Sequence, residues 1–242
     1  NKFSGWVDVP LTDEGRREAE RVGQWFRGIR FDVAYTADLD RASETTILFL
    51  KAAGQPHVPV IIERNFRERD YGGYTGLGRQ EAKDIYGETE VELVRRDPYK
   101  RPPVATDAET IARRIAPYKL VGPISREGFQ ETRRRAWPAF VRRVMADVAA
   151  GKIVLVVASG NSLRTIVAEL EQLTDEEIRR LDIYETVPIV YQFDSHLKLL
   201  GRRLEIKEEK DLVGLRGMMV WGVEGLSGIL VVIFLALVVG MA

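Results

Sequence analysis

Residues 154–164 read VLVVASGNSLR. An apolar, valine-rich run ends at Ala158. Ser159 and Gly160 turn the chain, and Asn161-Ser162 opens a helical pattern. A strand, a tight turn and a helix N-terminus in succession leave backbone N–H groups unpaired where an anion can be held. The same alternation recurs outward from this point. FDVAYT (31–36) reads as a strand. The helix after it has Asp38 or Asp40 as its cap, runs to about Ala53 and stops at Gly54. VPVIIE (58–63) is a second strand, and VPIVYQFD (187–194) closes the pattern. Upstream, NKFSGWVDVP reads as a loop. Thr12 then caps a helix whose apolar stripe is Ala19, Val22, Phe26 and Ile29. Residues 64–125 read as irregular, with short helical pieces near 79–86 and 107–115. A long helix is expected over about 126–149, kinked at Pro138, and a short one near 174–181. The pattern predicts an α/β fold, a mainly parallel sheet flanked by helices on both faces.

Composition narrows the function. The 242 residues carry 36 basic and 36 acidic side chains, a balance that gives no footprint for nucleic acid. There is no cysteine, which excludes disulfides and thiolate metal sites. His57 and His196 are the two histidines, and they lack metal-ligand spacing, so no metal site is expected.

The C-terminal stretch reads differently. From Gly225 to Ala242 the chain is GLSGILVVIFLALVVGMA, without a charge, and extending it back to Met218 adds only Glu224. About 20 apolar residues span a bilayer as a helix. The expectation is therefore a folded domain over 1–200, a charged linker over 201–217 and a transmembrane helix over 218–242. Trp221 suits an interface, with Lys210 and Arg216 in water on the side of the domain. Gly222, Gly225 and Gly228 form a small-residue face on which another transmembrane subunit can pack.

In open α/β sheets, ligands bind beyond the carboxyl ends of the strands. Three segments leave strands there: TADLDRA, RNFRERDYGGYTGL and ASGNSLR. They carry Arg41, Glu68 as a proton donor, and Arg69. Arg79, Arg95 and Arg96 follow nearby. Arginine forks match phosphate and carboxylate oxygens. Read from the residues alone, this is an anion-binding α/β domain.

The stretches FSGWVDVPLTDEGRREA, FDVAYTADLDRA, ERDYGGYTGL, VRRDPYKRPP, ASGNSLRTIVAEL and VPIVYQFD resemble, in order, the 2,3-bisphosphoglycerate-dependent phosphoglycerate mutases of the histidine phosphatase superfamily. The resemblance covers roughly residues 1–200. It implies that Arg41 holds the transferred phosphoryl group and that Glu68 is the general acid. Arg69, Tyr71, Arg95 and Arg96 become contacts to substrate phosphate and carboxylate. Ser4 and Gly5 lie on a substrate loop. Arg79 replaces a lysine, and Asn161 begins the helix after the last catalytic strand.

Three departures are visible. The family's nucleophilic histidine lies in an Arg-His-Gly motif that belongs before Asn1. Its second catalytic histidine is Ser159 here, and Asp70 also stands in place of a histidine. The family's first strand lies inside the sheet, so its absence predicts two unpaired internal edges and residues upstream of Asn1. These departures, with the apolar C-terminus, predict a vestigial site at Arg41, Glu68 and Ser159. The chain then acts as a pseudoenzyme, a single-pass accessory subunit of a mitochondrial inner-membrane or plastid thylakoid complex, and needs no cofactor. Two alternatives stay open. One is a membrane-tethered mutase or phosphatase using 2,3-bisphosphoglycerate and a phosphohistidine from upstream. The other is a non-catalytic sensor of a phosphorylated small molecule.

Overall fold

The computed structural model describes residues 2–185, 187–201, 203–213 and 229–232. Its main sheet is assembled from β2 (Val33–Thr36), β3 (Val60–Ile62), β5 (Val154–Val157), β6 (Ile189–Gln192), β7 (Leu204–Glu205) and β8 (Ile229–Val232), in the spatial order β3-β2-β5-β8-β6-β7. The β2/β3, β2/β5 and β5/β8 pairs are parallel, and β6 runs antiparallel to both β7 and β8. A separate two-stranded ribbon pairs β1 (Val7–Asp8) with β4 (Lys119–Leu120).

The central strands read as unbroken apolar runs because both faces are covered. Successive residues point to opposite faces. Val33, Tyr35, Val154 and Val156 pack with Phe66, Phe140, Leu163 and Tyr191 on one side. Ala34, Leu155 and Val157 pack with Val22, Phe26, Phe49 and Ile206 on the other. Helices α1 (Asp13–Trp25) and α2 (Asp40–Ala52) cover the second face. The first is covered by α6 (Phe129–Ala139) and by α8 (Gly160–Leu170), the helix opened by Ser159.

Several sequence expectations hold in detail. Thr12 caps α1, its Oγ1 accepting from the Gly15 amide at 3.0 Å. Other helices are α3 (Arg79–Tyr86), α5 (Ala108–Ile115) and α9 (Asp175–Arg180), each where a helical piece was expected. Others are corrected. Helix α2 starts at Asp40 behind Leu39, which makes no side-chain cap. Helix α4 (Glu88–Arg96) lies inside the stretch that reads as irregular. The long helix begins at Phe129 and keeps Pro138 inside α6; a π-turn over Phe140–Val144 follows before α7 (Met145–Ala149) continues.

The C-terminal expectation changes most. Within 218–242 only Ile229–Val232 is described, and it is a strand, not part of a transmembrane helix; the rest, with Gly222, Gly225 and Gly228, lies outside the described residues. Val154 and Leu155 of β5 register with Leu230 and Val231, and Ile189–Gln192 pairs along the other edge. The edges of β5 and β6 that face β8 are therefore paired, where the sequence predicted two unpaired internal edges. An uncharged apolar run fits a strand buried on both faces as well as it fits a membrane helix. Among the described residues no helix is long and apolar enough to cross a membrane. Within 201–217, as far as it is described, β7 pairs with β6, and Ile206 and Leu212 are fully buried.

Candidate active site

Beyond the carboxyl ends of β2 and β5 lies a cavity of about 210 Å³. Every site residue singled out in the sequence lines it except Gly5. The topology explains the convergence. Parallel β2 and β5 end side by side, so the first turn of α2 and the N-terminus of α8 face one space.

Arg41, in the first turn of α2, is 2% exposed. Its Nη1 donates to the Val7 carbonyl at 2.7 Å and its Nη2 to the Gly5 carbonyl at 2.8 Å. The Gly5 carbonyl thus helps hold the Arg41 guanidinium in place. The Gly5 φ of +50° and the Arg69 carbonyl 3.0 Å from where a Cβ would sit both require glycine. Burial lowers the Arg41 pKa, against the opposing pull of Glu68 and Asp8. Ser4, beside it, is also buried, and its carbonyl accepts from Val7.

Glu68 and Arg69 come from the loop after β3. The Glu68 carbonyl accepts from Trp6 Nε1 at 2.6 Å and from Arg135 Nη2 at 3.0 Å, which fixes the backbone that presents its carboxyl group. Glu68 Oε1 accepts from the Arg69 amide at 2.8 Å. Arg69 is 2% exposed, donates to the Val94 carbonyl at 3.0 Å and stacks over the Tyr71 ring at 4.9 Å. Asn161 donates to the Tyr71 hydroxyl at 3.0 Å, joining α8 to this loop.

Arg95 and Arg96 stand in the last turn of α4. Arg95 pairs with Glu92 at 3.0 Å and Arg96 with Asp182 at 2.6 Å. Arg79, the first residue of α3, is exposed on the cavity rim. Ser159 is 4% exposed and is the N-cap residue of α8, yet its hydroxyl makes no capping bond. Its Oγ has no hydrogen-bond partner, and neither do the buried Nε atoms of Arg69 and Arg164. All three residues line the same cavity.

Buried donors without acceptors are costly. Arg41, Arg69 and Arg164 form no ion pair among the described residues; backbone carbonyls accept from all three, with Glu68 and Asp8 near Arg41 and Asp182 near Arg164. An anion in the cavity would offset the charge of Arg41 and Arg69, so the set fits a ligand with more than one anionic group. No imidazole lines the cavity, since His57 and His196 are exposed elsewhere.

Asp70 lies outside the cavity wall. Its Oδ1 accepts from the Gly72 amide at 2.9 Å and its Oδ2 from the Ser125 amide at 2.6 Å. It clamps the glycine turn to the 122–128 segment, and burial raises its pKa against those two bonds. Sequence reasoning missed Trp6 and Arg135, which hold Glu68, and Arg164, which stands in the opening stretch itself. It also missed the 181–185 segment, whose Asp182 and Glu185 bring carboxylates to the cavity mouth. No helix, strand or glycine pattern marks that segment.

The histidine phosphatase superfamily (branch 1) model matches residues 1–120. The 2,3-bisphosphoglycerate-dependent phosphoglycerate mutase of Treponema denticola is 36% identical over 221 residues, covering 87% of each chain. The phosphoglycerate mutase 2 of Gloeobacter violaceus, also 2,3-bisphosphoglycerate-dependent by name, is 36% identical over 195 residues, covering 81% of this chain and 80% of its own. Among solved structures, Bacillus stearothermophilus YhfR superposes with a TM-score of 0.63 at 22% identity, covering 82% of this chain and 86% of its own, a likeness of fold. The chain belongs to the histidine phosphatase superfamily, among relatives of the 2,3-bisphosphoglycerate-dependent phosphoglycerate mutases.

Proposed function

We propose that the cavity binds a phosphorylated three-carbon acid of the phosphoglycerate class and that Ser159 leaves it a binding site with greatly weakened phosphoryl transfer. The observation that carries this is the convergence of two buried arginines, Arg41 and Arg69, which form no ion pair among the described residues, with the unpartnered Ser159 hydroxyl and Arg69 Nε. Arg41 and the α8 N-terminus hold a phosphoryl group. Arg69, Arg95 and Arg96 take a second anionic group. Glu68, fixed by Trp6 and Arg135, stands where a proton can be passed to a leaving oxygen.

Transfer needs more than this cradle. A serine hydroxyl donates one hydrogen bond and brings no charge, where an imidazolium brings both. Loss of one such contact costs about 10²–10³ in rate. Ser159 has no base beside it, so it does not serve as nucleophile.

A second reading is a working mutase or phosphatase. The names of the relatives at 33–38% identity favour it, as do the retained Arg41 and Glu68. On that reading 2,3-bisphosphoglycerate supplies a phosphoryl group for transfer. Calorimetric titration with 3-phosphoglycerate, beside a coupled mutase and phosphatase assay on the same full chain, separates the two. Binding without turnover is expected. Turnover above about a thousandth of an ordinary enzyme kcat of ~10 s⁻¹ gives the second reading precedence. No binding of 3-phosphoglycerate overturns both.

A further inference from the structure

Arg164 is 6% exposed and lines the cavity, but most of its hydrogen bonding is directed elsewhere. Its Nη1 donates to the Arg95 carbonyl and its Nη2 to the Arg96 carbonyl, both at 3.0 Å. Nη2 also donates to the Ile178 carbonyl of α9. The guanidinium lies over the Phe129 ring at 5.6 Å. Burial, with Arg69 and Arg96 adding like charge, pulls its pKa down to about 10.

The acceptors are what matter. The last carbonyls of a helix lack intrahelical partners, and a cation there is favoured by the helix dipole. Arg164 satisfies the final two carbonyls of α4, those of the residues whose side chains reach the cavity. Arg164 also rides on α8, five residues after Ser159, about 7.5 Å along one rigid helix. One element therefore carries the first anion subsite, at Ser159 and the helix N-terminus, and grips the backbone of the second.

We infer that Arg164 is a positioning residue that sets the spacing between these two anion subsites, so that the cavity selects ligands whose two anionic groups match that spacing. The inference rests on the phosphoglycerate reading. A fork is required, because three carbonyls are met by one planar group. A lysine ammonium keeps the charge but cannot reproduce that geometry.

The test uses the full chain and its Arg164→Lys variant, titrated with inorganic phosphate and with 3-phosphoglycerate. Hydrogen exchange is followed at residues 93–97. The variant is expected to bind 3-phosphoglycerate about tenfold more weakly and inorganic phosphate within about twofold of wild type. Exchange rises at 93–97 and not in β2 or β5. Equal weakening of both ligands, or unchanged exchange at 93–97, overturns the assignment. Should the variant fail to fold, wild type is titrated with phosphorylated acids one carbon shorter and one longer. Equal affinity across that series overturns it; a maximum at one length supports it. A wild type that binds phosphate but not 3-phosphoglycerate sinks the phosphoglycerate reading alone, since the exchange measurement still decides the tether.

Discussion

Asp182 Oδ1 stands 2.6 Å from Arg96 Nη1 at the mouth of the cavity, so one of the arginines meant for an anion already holds one. Both side chains are substantially exposed, at 50% and 37%, and the pair adds little to stability. Its effect is on binding, because a ligand must displace or share the carboxylate. Asp182→Asn should leave the melting temperature within about 1 °C and tighten 3-phosphoglycerate binding about two- to fivefold at low salt, with the gain shrinking as salt is added. Titrations at two ionic strengths check this. A weaker-binding variant would mean that Asp182 serves to hold Arg96 in place.

Ser159 carries a buried hydroxyl without a partner. Removing an unsatisfied polar group relieves a cost, so Ser159→Ala should unfold at higher denaturant, by roughly 1 kcal/mol, while binding phosphate more weakly. Ser159→His should bind phosphate more tightly below about pH 6.5, where an imidazole is charged, than above it. Denaturation curves and titrations at pH 6 and pH 8 read both effects. A destabilised alanine variant would show that the hydroxyl has a partner in solution.

Asp70 accepts from the Gly72 and Ser125 amides inside a buried turn. Gly72 has φ +53°, and a Cβ there would run into the Pro103 carbonyl, so the turn has one way to close. Asp70→Ala leaves the buried Gly72 N–H and the part-buried Ser125 N–H without their acceptor and should cost about 1–3 kcal/mol. It should also weaken ligand binding through Glu68 to Tyr71. Chemical denaturation against wild type measures the loss. A cost below about 0.5 kcal/mol would show that water replaces the carboxylate.

Asp147 accepts from the Tyr35 hydroxyl at 2.6 Å and from Lys152 at 2.7 Å. Burial pulls its pKa up, but the bonds from Lys152 and Tyr35 outweigh it and leave the pKa lowered from 3.8. A carboxyl group whose folded pKa is depressed contributes stability above its unfolded pKa and loses it as pH falls through the folded value. Asp147→Asn should therefore cost of order 1 kcal/mol at pH 7 and converge with wild type in strong acid, below pH 3.8. Urea midpoints across pH 2–7 are the check. Parallel curves would contradict it.

Strand β8 sits between β5 and β6. Truncation after Val213 removes it and leaves two internal edges unpaired. The truncated chain is expected to aggregate or lose secondary structure, as seen by size exclusion and circular dichroism. A well-folded soluble monomer would instead return 218–242 to the membrane-anchor reading.

Periodicity and local chemistry made the α/β alternation, the Thr12 cap and the glycine stops readable, because these depend on neighbours within a turn or two. The arginines were readable because each follows a strand or stands in a recognisable motif. Helix α4 was not, since its apolar stripe of Val91 and Val94 is short and crowded by charge. That Ile229–Val232 forms a strand was not readable either, because a central strand and a membrane helix share one composition. The role of Arg164 was hidden for another reason. Its partners are backbone carbonyls 68 and 69 residues away, and no side-chain pattern records a carbonyl.

By itself, then, the sequence determined the fold class, the strands β2, β3, β5 and β6 with most of the helices between them, and the arginines that gather in the cavity. Tertiary structure alone decided which strand fills the centre of the sheet. It also decided that the Gly5 carbonyl holds Arg41, that Asp182 pairs with Arg96, and that Arg164 joins α8 to α4. The reason is range. Helix periodicity and turn chemistry act over a few residues, whereas strand pairing and the saturation of buried donors are settled between segments that meet only when the sheet closes.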